Sequence, residues 1–240
     1  MRLLLGSGGF RTEERVRLLT EQMHSVFGPI DRLLFVPYAL ADHDGYVKTI
    51  LERGLHAGYT LEGIHIFSDA REAVRNCQGI YVGGGNTFRL LDRLYRYDLL
   101  DLIRDRVHAG VPYLGVSAGT NVACPTMRTT NDMPIVTPLS LDALGLVPFQ
   151  VNTHYYLGPM YVEGDGGCGH VRHFGETRED RIREFHEMNE TPVVGLWEGG
   201  ILRVENGTVQ LLGTPARIFR RGQPPREVEP GARLDELLAE

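Results

Sequence analysis

Short apolar segments that each run into a turn and then into an amphipathic helix recur through the first half of the chain, and this alternation restricts the fold more than any other feature. Leu3 to Leu5 is followed by Gly6-Ser7-Gly8-Gly9, after which Val16, Leu18, Leu19, Met23 and Val26 recur at helical spacing. Leu33 to Val36 repeats the strand signal and Pro37 closes it; Tyr46, Ile50, Leu51 and Leu55 then form an apolar stripe that ends before Gly58. Ile64 to Phe67 reads as a third strand, and Asp69 with Glu72 opens a short helix through Val74 as a capping box. Ile80 to Val82 is the fourth strand. It enters Gly83-Gly84-Gly85-Asn86-Thr87 and then helical stripes at Phe88, Leu90, Leu91 and Leu94 and at Leu99, Leu100, Ile103 and Val107. Pro112 to Val116 is the fifth. Strands joined by helical crossovers require right-handed connections and a mostly parallel sheet covered on both faces. The expected class is α/β, a three-layer αβα arrangement in one domain over residues 1–240, closed by a C-terminal antiparallel hairpin.

The hairpin signal is Asn206-Gly207, flanked by Ile201 to Val204 and Thr208 to Leu212, with Ala216 to Phe219 as a further strand. Between the fifth strand and that hairpin the pattern loosens. Pro125 to Pro138 reads as loop, Val147 to Asn152 as a strand leading into Thr153-His154-Tyr155, and Leu157 to Phe174 as a long Gly-rich irregular connection of the kind that forms lids. A charged helix from Glu179 to about Asn189 and a strand from Val193 to Leu196 follow.

The fifth strand runs into Gly115-Val116-Ser117-Ala118-Gly119, a G-x-S-x-G elbow. A nucleophile held on a sharp strand-to-helix turn brings backbone so close that glycine is needed on either side. A Gly-flanked serine capping a helix is the simpler alternative, so the question is whether the chain also supplies a base, an acid and an oxyanion hole. Of the nine histidines, His24, His43, His56, His108 and His186 fall on helices or their ends and His65 on a strand. His154 instead follows a strand in a non-helical stretch, where the carboxyl edge of a parallel sheet collects active sites. Glu198 stands two residues past its strand, and Asp132 lies in the loop after the elbow; either can orient a histidine, and either can be a solvated loop acid. Gly85 and Ala118 are the natural pair of backbone donors for an oxyanion. Neither a P-loop nor a dinucleotide fingerprint is present.

The bulk properties narrow the partners. A 42% hydrophobic content over 240 residues suffices for a full core. A net charge of -6 lacks the clustered cations that nucleic acid or an anionic membrane demands. Cys77, Cys124 and Cys168 do not form a disulfide framework, and the N-terminal apolar run is too short for a signal peptide. A cytoplasmic protein with a small substrate is expected. Cys168, His170 and His173 lie close together in sequence but lack the second ligand pair of a structural zinc site; no metal and no cofactor is expected.

Four stretches together resemble the peptidase E, or α-aspartyl dipeptidase, family: Val82 to Phe88, the elbow Gly115 to Gly119, Ala123-Cys124-Pro125-Thr126-Met127-Arg128-Thr129-Thr130-Asn131-Asp132-Met133-Pro134-Ile135-Val136, and Gly175-Glu176-Thr177-Arg178-Glu179. The resemblance implies a glutamine-amidotransferase-like (flavodoxin-like) fold and a serine exopeptidase that releases N-terminal aspartate from dipeptides through an acyl-enzyme. It implies Ser117 as nucleophile, His154 as base, Glu198 as the triad acid with Asp132 also at a functional position, and Arg178 as the ligand of the aspartyl carboxylate. It leaves open which acid touches His154. The connection from His154 to Gly175 looks longer than in the better-known bacterial members, and Thr153 and Trp197 stand where proline is expected. A homodimer is compatible with the sequence. Two other readings stand beside this one: a cyanophycinase-like β-aspartyl serine exopeptidase, and a non-catalytic amidotransferase-like binding domain.

Overall fold

The computed structural model describes residues 1–163 and 169–239. Five parallel strands form its centre: β1 (Arg2–Gly6), β2 (Arg32–Val36), β3 (Thr60–Gly63), β4 (Ile80–Val82) and β5 (Tyr113–Val116). Two further strands, β10 (Ile201–Glu205) and β11 (Thr208–Leu212), add antiparallel to the β1 edge, giving the order β11-β10-β1-β5-β4-β2-β3. The side-chain period of two then sorts the apolar residues between faces. Leu3 and Leu5 pack with Leu90, Ile103 and Val122 from α4 (Thr87–Arg96), α5 (Leu100–His108) and α6 (Ala118–Ala123). Leu4 turns the other way, toward Leu19 and Met23 of α1 (Glu13–Phe27) and Ile50 of α2 (His43–Glu52). Each of these fully buried leucines stabilises the fold by about 1.5–3 kcal/mol, and together they produce helices on both faces of a mostly parallel sheet.

A second sheet stands apart from the first in hydrogen bonding. It contains β6 (Gln150–Tyr155), β9 (Val193–Trp197), β12 (Ala216–Phe219) and β13 (Arg226–Val228) in the order β13-β12-β9-β6, with β6 and β9 parallel. Tyr155, Ile182, Val193 and Phe219 form a small core of their own against it.

Three segments differ from the sequence expectation. The stretch Ile64 to Phe67 is not a strand: Ile64–Ile66 is a 3-10 turn, and the edge strand β3 lies just before it at Thr60–Gly63, paired with Arg32 to Phe35. Only Ile64 of the apolar run is buried, and the polar composition of β3 fits an edge and hides it. The strand expected at Val147 to Asn152 begins at Gln150 and continues through His154, because its register is set by pairing with β9. The Leu157 to Phe174 connection, expected to be irregular, contains a short antiparallel pair, β7 (Tyr161–Glu163) and β8 (His170–Arg172). No helix among the described residues is long and apolar enough to cross a membrane.

Candidate active site

The elbow forms as a strand-to-helix turn. Ser117 sits between β5 and α6 with φ +55° and ψ −110°, a left-handed conformation that non-glycine residues rarely hold. The flanking glycines are sterically required. A Cβ on Gly115 would lie 2.4 Å from the Gly119 carbonyl oxygen, and one on Gly119 would lie 2.1 Å from the Val82 carbonyl oxygen.

Ser117 Oγ lies 2.8 Å from His154 Nε2, and His154 Nδ1 lies 3.2 Å from Glu198 Oε1. With Nδ1 protonated and donating to Glu198, Nε2 is left to accept from the serine hydroxyl. His154 also has positive φ, +53°, at a break in the β6–β9 register between Thr153 and Tyr155. The irregularity turns its ring toward β5. Glu198 follows β9, so His154 and Glu198 come from adjacent parallel strands of the second sheet while Ser117 comes from the first. The His154 and Glu198 side chains retain 39% and 54% of their exposure, which leaves the pair at an open mouth.

Of the two acids carried from sequence, Glu198 therefore contacts His154. Asp132 is engaged elsewhere: its Oδ2 accepts from the Thr87 amide at 2.7 Å, the Thr87 hydroxyl at 2.6 Å and the Thr130 hydroxyl at 3.0 Å. It thereby satisfies the first orphan N–H of α4. Asn86 Nδ2 donates to the Met133 carbonyl at 2.9 Å, so the 130–133 loop is fastened to the glycine turn after β4.

That turn abuts Ser117, since a Cβ on Gly84 would come within 3.0 Å of Ser117 Cβ. Gly85 has φ +132°. Among the described residues, neither the Gly85 nor the Ala118 amide donates to a protein acceptor. An oxyanion requires two such uncommitted N–H groups.

Arg178 is the first residue of α7 (Arg178–Met188), behind a capping box in which Thr177 and Asp180 bond reciprocally. Its guanidinium is half-buried and stacks 5.2 Å from the Tyr156 ring centroid. Burial lowers its pKa, and Asp132 lies near enough to oppose that shift through its charge. Its Nε is buried without a partner, and among the described residues it forms no ion pair. The Cys168, His170 and His173 cluster cannot be assembled here because Cys168 lies outside the described residues; His173 Nδ1 accepts from the Gly175 amide.

The sequence marks Gly6-Ser7-Gly8-Gly9 only as a turn between a strand and a helix, yet it packs on His154 and Glu198. A Cβ on Gly8 would lie 2.7 Å from His154 Cε1, and one on Gly9 would lie 2.7 Å from Glu198 Oε2. Ser7 is wholly buried, and its Oγ accepts from the His154 amide. A glycine run directly after a strand was the available signal, the same one that marks Gly83 to Gly85.

The model of peptidase family S51 matches residues 2–212. Peptidase E of Streptomyces coelicolor is 50% identical over 208 residues, 86% of this chain and 82% of that protein. The Drosophila melanogaster protein named "Probable alpha-aspartyl dipeptidase" is 42% identical over 240 residues, 98% of this chain and 96% of its own. Among solved structures, a peptidase from an acI-B1 Actinobacterium superposes with a TM-score of 0.65 at 17% identity, covering 97% of this chain and 96% of that one, a likeness of fold.

Proposed function

This chain belongs to peptidase family S51, and from that premise we propose that it is a serine exopeptidase hydrolysing dipeptides with N-terminal aspartate. The observation that carries the mechanism is the continuous contact from Ser117 Oγ through the His154 ring to Glu198. Glu198 accepts the Nδ1 proton and fixes the tautomer, leaving Nε2 as general base. The Ser117 hydroxyl attacks the carbonyl of the Asp-Xaa bond as its proton passes to Nε2. The developing oxyanion is met by the Gly85 and Ala118 amides. When the tetrahedral intermediate collapses, His154 returns the proton to the leaving amine of Xaa, and aspartate remains as an ester on Ser117. Water then repeats the sequence with His154 as base, releasing aspartate and regenerating the serine.

Arg178 supplies the choice of aspartate. A planar guanidinium without a carboxylate partner, partly desolvated against Tyr156, suits the β-carboxylate of the substrate. Asp132 serves the reaction indirectly, by holding the start of α4 and with it the turn that carries Gly85.

The test is Ser117→Ala with Asp-Leu, Glu-Leu, β-Asp-Leu and Leu-Leu as substrates, together with fluorophosphonate labelling of the parent. The expected outcome is a folded variant that has lost Asp-Leu turnover by about 10³-fold or more and takes no label. Near-normal turnover by the variant would rule the mechanism out, and preference of the parent for β-Asp-Leu would transfer the activity to β-aspartyl linkages.

A further inference from the structure

We infer that Ser7 is a positioning residue for this reaction, its hydroxyl locking His154 in register with Ser117 across the seam between the two sheets. The inference rests on the reading of Ser117, His154 and Glu198 just given. Those three groups do not share a scaffold. Ser117 stands at the end of β5 in the seven-stranded sheet, whereas His154 and Glu198 stand on and after β6 and β9 of the four-stranded sheet. Among the described residues no strand of one sheet is hydrogen-bonded to a strand of the other, so the spacing between nucleophile and base draws on another determinant.

Three consecutive residues at the end of β1 and just past it supply it. The Gly6 carbonyl accepts from the Ser117 amide at 2.9 Å and from the Thr120 hydroxyl at 2.8 Å. One residue later, the Ser7 amide donates to the Gly200 carbonyl at 2.9 Å, and Ser7 Oγ donates to the Leu196 carbonyl at 2.8 Å while accepting from the His154 amide at 2.8 Å. The Gly8 carbonyl then accepts from the Gly199 amide at 2.7 Å. Gly6 thus binds the nucleophile's turn, Ser7 the base, and Ser7 and Gly8 the segment that carries Glu198, all within three consecutive residues.

The hydroxyl has no substitute in this network. The β6–β9 ladder pairs Thr153 with Leu196 and Tyr155 with Trp197 and skips His154, whose positive φ takes it out of register. Its amide is met by Ser7 Oγ instead of by a strand. Ser7 is wholly buried, so bulk water cannot take over when the hydroxyl is removed, and the His154 N–H and the Leu196 C=O would both lose this partner. The cheapest relief is rotation of the His154 peptide, which moves the ring off Ser117. Displacements of about 1 Å in such an assembly cost on the order of a hundredfold in rate.

The experiment compares Ser7→Ala and Ser7→Cys with the full-length parent, measuring kcat and KM for Asp-Leu and titrating competent sites by exhaustive fluorophosphonate labelling. For Ser7→Ala the expected result is a kcat per labelled site lowered by roughly 10- to 100-fold with KM within about twofold, and labelling that reaches full stoichiometry but more slowly. Ser7→Cys, with a weaker donor and acceptor of similar size, is expected between the two. A purely structural role would instead lower the fraction of labelled sites and leave the rest turning over at the parental rate, and that result overturns the inference. So does a parental kcat in Ser7→Cys, which decides the matter if Ser7→Ala does not fold. Inactive Ser117→Ala and His154→Ala beside a normal Ser7→Ala would discard this role alone, whereas activity in the first two would discard the underlying mechanism.

Discussion

Removing the Arg178 guanidinium should change what the enzyme selects more than how well it hydrolyses. The side chain is half-buried, lies over Tyr156, and has a buried Nε without a partner. A substrate β-carboxylate placed there would be drawn partly out of water, and Arg178→Ala would leave it without its counter-charge. Truncating one member of a buried, hydrogen-bonded charge pair costs about 2 to 5 kcal/mol. Because Arg178 keeps part of its exposure, solvent screening puts this case at the lower end, about 2 to 3 kcal/mol. That corresponds to roughly a 30- to 150-fold loss in kcat/KM for Asp-Leu. Asn-Leu, of the same shape without the charge, should lose little, so the Asp-to-Asn ratio should collapse. Arg178→Lys should recover only part of the loss, since an ammonium retains the charge but not the planar fork. The assay is kcat/KM for both dipeptides with the parent and the two variants. An unchanged Asp-to-Asn ratio in Arg178→Ala refutes the reasoning, and transfer of the defect to Arg172→Ala would place the selection on the exposed β8 strand instead.

The two acids separate by the quantity each one moves. Glu198→Gln should lower kcat by about 10²-fold or more with a nearly unchanged melting temperature, because it meets His154 at the open mouth of the site. Asp132→Ala removes three hydrogen bonds at the start of α4 and should lower the melting temperature by several degrees; the reverse pattern in kcat and melting temperature would exchange their roles. The capping box of α7 gives a pH signature. Bonds from Thr177 and Arg183 hold the Asp180 carboxyl down at about 2, below its ordinary 3.8. Its contribution to stability is therefore complete above the unfolded value and is lost as pH falls through the folded one. The melting-temperature difference between the parent and Asp180→Ala should be constant near neutrality and vanish between about pH 4 and 2. A difference that persists at the acid end would mean that the carboxylate is not what caps the helix.

Local chemistry carried much of this protein into its sequence. Four of the five apolar segments, with their amphipathic helices, specified a parallel sheet covered on both faces. Asn206 and Gly207, at φ +51° and +73°, adopt the left-handed pair that their hairpin requires. The glycines around Ser117 announced a turn whose close approaches no Cβ could enter. These features are legible because each is decided within a few residues of the chain. What the tertiary structure decided depends on long-range register. Glu198 rather than Asp132 reaches His154 because β9 pairs in parallel with β6, a contact spanning more of the chain than any motif covers. The edge strand β3 escaped notice because pairing with β2, and not its own polar composition, makes it a strand. Ser7, between two glycines, carries no local mark of importance. Its partners Leu196 and His154 lie 189 and 147 residues away, and a hydroxyl acquires such partners only when the chain's two sheets pack together.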